Sequence, residues 1–354
     1  MRVLLISGSY PPIPCGIGDY TAQLAKSLCQ HEGVSVGILT SASIAGVKEK
    51  DVELLPVMHT WGIREALTVA RGIRAWRPDV VHVQYPTHQY REIQWILPFI
   101  SHALGVPVVQ TWHEYYSPKN WPMALNAILP GGLVAVRPCY MEKMPAWFRR
   151  LNFRKKFCFI PNASSIPAVR LTEAERAAVR QKMGINNGLI SYFGFASPGK
   201  GIEMLFEAAD PARHKIVLIC NLSNTDDYQA SILALTRGSD WAGKVTVTGF
   251  LPPFEAGRIM AASDAVVFPF RDGAGEWNSS IHAATVQGTF VLTTSTEHGG
   301  YDPKKNIYCV VPGDARAMRD ALRDNAGKRI PPAEGNPWDL ISRAHVGLYR
   351  SVAI

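Results

Sequence analysis

The 354-residue sequence has only six cysteines, and Cys15, Cys29, Cys139, Cys158, Cys220 and Cys309 form no close pair and no Cys/His cluster at metal-ligand spacing. A disulfide framework and a zinc module are thereby excluded, and all six are expected to be reduced thiols of a cytoplasmic protein. For Cys15, in a loop taken up below, a packing role competes with a reactive one. Apolar runs are short as well. None approaches the roughly 18–20 residues of a membrane span. The opening MRVLLISGSYPPIP, with a single Arg, reads as a buried first strand and not as a signal peptide. Internal repeats, low-complexity tracts and coiled-coil heptads are also missing.

Acidic residues are scarce in one half. Net charge is +8, with 17 Lys and Arg against 10 Asp and Glu in residues 1–165 and 20 against 19 in the remainder. A basic first half suits nucleic acid, an anionic membrane surface or a phosphorylated substrate, besides plain solubility. No nucleic-acid recognition module is present, which removes the first. Trp147, Phe148, Arg149, Arg150, Phe153, Arg154, Lys155 and Lys156 interleave aromatics with cations. That mixture favours an anionic interface, or else a solvated connection into the next strand. The expected location is cytoplasmic, with peripheral contact at the inner face of the membrane.

What is present is a repeated alternation of short apolar runs and helical patterns. Candidate strands in the first half are Val3–Ser7, Val34–Leu39, Val80–Gln84, Val106–Thr111, Gly132–Val136 and Phe157–Ile160, with helical stretches such as Tyr20–Gln30 and Trp61–Trp76 between them. The pattern restarts after a polar interval, Pro167–Met183. Further strands are expected at Leu189–Phe193, Lys215–Cys220, Val245–Thr248, Ala265–Phe268 and Phe290–Thr293, with helices near 201–209, 226–236, 254–262 and 279–287. Continuous apolar strands separated by helices predict parallel sheets covered on both faces. The length suits two such domains, 1–165 and 166–336, with a cleft between them as the default site. Pro337–Val352 has the pattern of an amphipathic helix, placing 337–354 with the first domain.

Polar chemistry gathers in loops after strands. FPFRDGAGEWNSSIHAATVQGTFVLTT, Phe268–Thr294, is a strand, a Gly-rich loop with one acid at Glu276, a small-residue helix ending at Gly288, and a second strand. The carboxyl edge of an open α/β sheet is where ligands sit, and a helix N-terminus there attracts an anion. Asn278, Ser279 and Ser280 can line or cap it. FGFASPGKG, Phe193–Gly201, sets Lys200 between glycines at a helix start, a holder for a diphosphate or a solvated turn. After Ser7 comes GSYPPIPCGIGDYT, in which Gly16 and Gly18 allow backbone to approach a ligand. A dinucleotide fingerprint fails there, since Thr21 stands where the third Gly belongs, and no Walker Gly-Lys-Ser/Thr occurs. Asp19 is a first-turn acid or a contact for a substrate hydroxyl. His113, in QTWHEYY, is a structural histidine or one that hydrogen-bonds a sugar or shuttles a proton near neutral pH. No paired carboxylates suggest a two-acid hydrolase, and Asp226 and Asp227, adjacent, suit a helix start better than a metal.

Taken in order, PPIPCGIGDYT, VVHVQY, TWHEYY, FIPNAS, FGFASPGKG and Phe268–Thr294 resemble the retaining GT-B glycosyltransferases of family 4. The resemblance implies an α/β fold of two doubly wound Rossmann-like domains facing each other across a cleft, and a C-terminal helix crossing back to the first. It also implies a metal-independent hexosyltransferase in glycan, polysaccharide or glycoconjugate biosynthesis. Its donor would be a nucleotide-diphosphate sugar and no other cofactor; its acceptor would be a saccharide, lipid-linked or phosphorylated compound. By position, His113, Lys200 and Glu276 would be catalytic. Gly16, Gly18, Gly194, Lys200, Gly201, Glu276, Asn278, Ser279 and Ser280 would bind the donor, and Asp19, Tyr20, His113 and Glu114 the acceptor. Two departures stand out. The family's second glutamate would fall at Ala283 and its first at Gly275, so the segment resembles a single-Glu branch; an Arg common ahead of the Lys is replaced by Phe195 and Ala196. A nucleotide-sugar epimerase on the same fold and a non-catalytic sugar- or nucleotide-binding protein are the alternatives.

Overall fold

The computed structural model describes residues 1–87, 89–114, 126, 129, 131–151, 155–275 and 277–353. The chain divides into two compact units, Met1–Ala163 with Asn336–Ile354, and Ser164–Gly335.

In the first unit seven strands, β1 (Arg2–Ile6), β2 (Ser35–Ser41), β3 (Val52–Met58), β4 (Val80–Tyr85), β5 (Val108–Trp112), β6 (Gly131–Ala135) and β7 (Lys155–Phe159), form one sheet. Their order is β3-β2-β1-β4-β5-β6-β7, and every neighbouring pair is parallel. Alternation of side chains explains why the strands read as unbroken apolar runs. Leu4 and Ile6 join one buried cluster with Val81, Val83, Ile73 and Trp76, whereas Val3 and Leu5 join another with Leu24, Val80, Val109 and Leu348. Helices α1 (Gly16–Leu28), α2 (Ala66–Trp76), α3 (Leu97–Ala103) and α4 (Ala146–Leu151) connect the strands. The C-terminal helix, Pro337–Val352, packs on α1, where Ser27 Oγ donates to the Trp338 carbonyl at 3.0 Å and lies 3.0 Å from Ser342 Oγ. Strand β3 was not expected, because it contains Pro56; proline is tolerated on an edge, and β3 is the sheet's edge.

The second unit repeats the plan. Its strands are β8 (Gly188–Phe193), β9 (His214–Ile219), β10 (Val245–Val247), β11 (Ala265–Phe268), β12 (Val291–Thr294), β13 (Gly300–Asp302) and β14 (Ile307–Val310). They run β10-β9-β8-β11-β12-β14-β13, parallel except for the antiparallel β13–β14 pair. The helices are α5 (Glu173–Lys182), α6 (Glu203–Ala208), α7 (Asp227–Arg237), α8 (Pro253–Ala262), α9 (Ser279–Thr285) and α10 (Ala315–Asn325). The interval read as merely polar holds α5, started by a capping box: Thr172 Oγ1 accepts from Glu175 N, and the Glu175 side chain accepts from Thr172 N. Asp226 caps α7, its Oδ1 accepting from Gln229 N at 2.9 Å. Among the described residues, no helix is long and apolar enough to cross a membrane.

Two arginines secure the end of α8. Arg329 donates to the carbonyls of Ala261 at 2.8 Å and Ser263 at 2.5 Å, and Arg180 reaches Asp264 Oδ2 at 2.8 Å. A cation here satisfies carbonyls that the helix leaves unpaired and opposes its dipole. Arg329→Ala is therefore expected to cost the second unit about 2 kcal/mol. That is a fall of about 4–8 °C in its melting transition, read by calorimetry; an unchanged transition would contradict the clamp.

Candidate functional site

Both sheets reverse their strand order near the middle, between β1 and β4 and between β8 and β11. Loops leaving the carboxyl ends of two such strands diverge to opposite faces, and the crevice between them is the default ligand site. The glycine loop of the first unit leaves β1 and the two loops of the second unit leave β8 and β11, while His113 follows β5.

In the second unit, Gly201 adopts φ +61°, and a Cβ there would lie 2.2 Å from the Pro269 carbonyl oxygen. Only glycine lets the lysine loop rest against the end of β11, and Arg271 N donates to the Gly199 carbonyl at 3.0 Å to close the contact. Lys200 is half-buried, its Nζ 4.4 Å from the centre of the Phe270 ring. Gly194, with φ +137°, lies beside α9: a Cβ on it would sit 3.9 Å from Ser280 Cβ. Gly194, Lys200, Gly201 and the start of α9 thus share one edge. Asn278 occupies the N-cap position of α9, yet its Oδ1 accepts from Gly275 N at 3.0 Å, so it closes the preceding turn and does not cap the helix. Ser279 is exposed. Glu276 lies outside the described residues. A brace that sequence reasoning missed supports the lysine loop. Tyr228 Oη accepts from Ile202 N at 2.8 Å and donates to Glu203 Oε2 at 2.7 Å, and Arg271 Nη2 donates to Glu203 Oε1 at 2.6 Å. The only hint was the charge of Glu203 and Arg271 near the two loops.

In the first unit the two glycines separate in role. A Cβ on Gly18 would come within 3.2 Å of the Ser9 carbonyl, so glycine lets α1 lie a few tenths of an ångström closer to the loop after β1 than a larger residue would; Gly16 begins α1 facing open space. Asp19, in the first turn of α1, is half-buried, and burial pushes its carboxyl up to about 6. His113 follows β5 and is 9% exposed, with Nε2 2.9 Å from Gln84 Oε1. Burial, with His345 adding to it, pushes the imidazole down to about 3. It is neutral at physiological pH, so the proton shuttle near neutrality allowed by sequence is corrected to a neutral hydrogen-bonding group. Tyr20 is also corrected. It is 3% exposed and meets His113 edge-on at 4.7 Å, so it supports that ring from within the core and is not presented to an acceptor. The carboxylate of Glu114 is held by Arg137, whose Nε donates to the His113 carbonyl at 3.3 Å.

The sequence matches the family described as a glycosyl transferase 4-like domain over residues 15–191. A search of curated protein sequences finds no match. Among solved structures, a glycosyltransferase from Rickettsia africae ESF-5 is similar with TM-score 0.75 and 15% identity, covering 99% of this chain and 98% of that one. Anabaena HepE, solved with UDP-glucose, has TM-score 0.71 and 17% identity over 100% and 98% of the two chains. Sucrose-phosphate synthase from Thermosynechococcus elongatus has TM-score 0.70 and 15% identity over 99% and 96%. At such identities the likeness is one of fold, and the fold is GT-B.

Asp19 offers a test of the first edge. Its folded carboxyl titrates near 6 against an ordinary value of 3.8, so the folded state holds the proton more tightly. The group's contribution is present below about pH 4 and is lost as pH rises through 6. Asp19→Asn should raise the melting temperature by a few degrees at pH 8 and leave it unchanged at pH 4; the same shift at both pH values would contradict the burial.

Proposed function

Since the chain belongs to the glycosyl transferase 4-like family, we propose that it moves a sugar from a nucleotide-diphosphate sugar to an acceptor, retaining the anomeric configuration without a metal ion. The observation that carries this reading is the meeting of Gly194, Lys200, Gly201 and the first turn of α9 at the strand-order reversal of the second unit. Breaking the bond between the anomeric carbon and its phosphate oxygen builds negative charge on the departing diphosphate. The Lys200 ammonium and the N–H groups that the Asn278 side chain leaves uncapped stabilise that charge most in the transition state. The same residues support the metal-independent reading, because the cation and fixed dipoles supply countercharge to the diphosphate. Glu276, next to this edge in sequence, is the acid assigned to the transferred sugar.

On the acceptor side the reading uses Asp19 and His113. The first accepts from a hydroxyl when ionised, above about pH 6; the second, neutral throughout, contributes a fixed imidazole beside the sugar. Glu114 is engaged by Arg137 and serves as a positioned rim charge. The acceptor class, a saccharide or a lipid-linked or phosphorylated compound, rests on the basic first half. Trp147, Phe157 and Phe159 are 43%, 42% and 42% exposed beside exposed Arg149, Arg150 and Lys156 on α4 and the edge strand β7. That mixture supports peripheral contact with an anionic inner leaflet; Phe153 and Arg154 lie outside the described residues.

Four measurements check the reading. Nucleoside diphosphate should be released from a nucleotide sugar only when an acceptor is supplied, apart from slow hydrolysis, and the product should keep the donor's anomeric configuration by NMR. Turnover without acceptor would instead favour an epimerase, and binding without turnover a non-catalytic module. A thermal-shift screen with uridine, guanosine, adenosine and thymidine diphosphates should identify the base, since ligand at 100 times its Kd adds about 2.7 kcal/mol; UDP is the first to try, given the UDP-glucose bound to Anabaena HepE. Lys200→Ala should lower kcat/KM by roughly 10²–10³, and unchanged product formation would remove Lys200 from the donor site. Co-sedimentation should show binding to vesicles with acidic lipid and none to neutral ones; equal behaviour would exclude the membrane contact.

A further inference from the structure

Beneath His113 runs a chain of buried polar side chains that the sequence reading did not use. His82 and Gln84 are alternate residues of β4 and lie on one face; both are fully buried, as are Thr111 on β5 and His345 and Tyr349 on the C-terminal helix. Gln84 Oε1 is 2.9 Å from His113 Nε2, and Gln84 Nε2 is 3.3 Å from His82 Nε2. His82 Nε2 is also 2.7 Å from Thr111 Oγ1, and His82 Nδ1 is 2.6 Å from Tyr349 Oη.

The orientation of the Gln84 amide sets the direction of every bond. An amide oxygen only accepts, so His113 must carry its proton on Nε2. The Gln84 amide nitrogen only donates, so His82 Nε2 is bare and Thr111 donates to it as well. The His82 proton is therefore on Nδ1, donated to Tyr349 Oη. A row of imidazole, amide and hydroxyl groups replaces apolar packing in the middle of a parallel sheet, where each unpaired polar group would cost about 1–3 kcal/mol. With the amide so oriented, each bond determines the next along the row. It ends on the histidine at the sheet edge, whose ring plane Tyr20 also fixes by its edge-on contact at 4.7 Å and 83°.

We infer that Gln84 and His82 are positioning residues, and that with Tyr349 of the C-terminal helix they hold His113 as its Nε2–H tautomer, leaving Nδ1 as the ring's hydrogen-bond acceptor. This deepens the proposed function, in which His113 stands beside the transferred sugar or the acceptor: a bare Nδ1 accepts from a sugar hydroxyl, and the wrong tautomer would oppose it with a second donor. Among the described residues, Tyr20 on α1 meets this ring edge-on, His82 on β4 and His345 on the C-terminal helix act on it electrostatically, and Glu114, next in the chain, is paired with Arg137.

The test is the tautomer of His113, read from two-bond ¹H–¹⁵N correlations of protein labelled in histidine, the signal assigned by its loss in His113→Gln. Wild type should show the neutral Nε2–H form. Gln84→Leu should give a mixture of tautomers and lower kcat about 10-fold with little change in KM. Gln84→Glu, whose carboxylate still accepts from Nε2–H, should restore the tautomer and raise the histidine's titration toward neutral pH. If Gln84→Leu does not fold, the wild-type and Gln84→Glu spectra decide alone. An Nδ1–H form in wild type, an unchanged tautomer in Gln84→Leu, or loss of thermal stability with tautomer and kcat intact would overturn the inference. Failure of the proposed function reads differently, as absence of transfer by wild type while the tautomer pattern holds.

Discussion

Parallel pairing of strands buried on both faces is the constraint from which the site follows. Successive residues of β1 face separate buried clusters, so no polar group can leave the strand sideways without cost. Chemistry is driven to the ends. Because all strands of the first sheet and all but one pair of the second run parallel, their carboxyl ends share one edge, and the reversal of strand order in the middle of each sheet opens that edge. The lysine loop and the start of α9 leave β8 and β11, and the glycine loop leaves β1, at those reversals. Gly201 is then required by contact, since a Cβ there would lie 2.2 Å from the Pro269 carbonyl oxygen, and Gly18 eases the tight approach of α1 to the loop after β1.

Much of this was legible in the chain itself. Eleven strands were expected in or near their observed places because continuous apolar runs between helical patterns have few other solutions, though Lys155–Phe159 and the half-buried β10 show how weak such a run can be. Strand β3 escaped because Pro56 breaks the pattern, and β13 and β14 because they are short, half-buried and at the sheet's end. α5 was hidden by its polarity, although Thr172 and Glu175 spell its capping box. The loops were legible as glycine and lysine after strands. Their bracing was not: Glu203, Tyr228 and Arg271 come from three separate elements. The chain from His113 to Tyr349 was invisible for the same reason, since VVHVQY looks like a strand with two polar interruptions and the partner of His82 stands 267 residues away.

The departure at Ala283 also acquires a physical reading. The residue is fully buried among apolar side chains of the second core, and its carbonyl accepts from Gln287 Nε2 at 3.0 Å. A carboxylate placed there would be desolvated without a partner. Under the proposed reading, the donor's sugar is then held by Glu276, and the diphosphate is met by Lys200 together with the backbone N–H groups at the start of α9.

The most direct test of that division of labour is a crystal structure of the protein with the nucleoside diphosphate that stabilises it most. The account predicts the diphosphate within hydrogen-bond distance of Lys200 Nζ and of the backbone N–H groups at the start of α9, against the Gly194–Gly201 loop. A diphosphate bound away from both loops would contradict it.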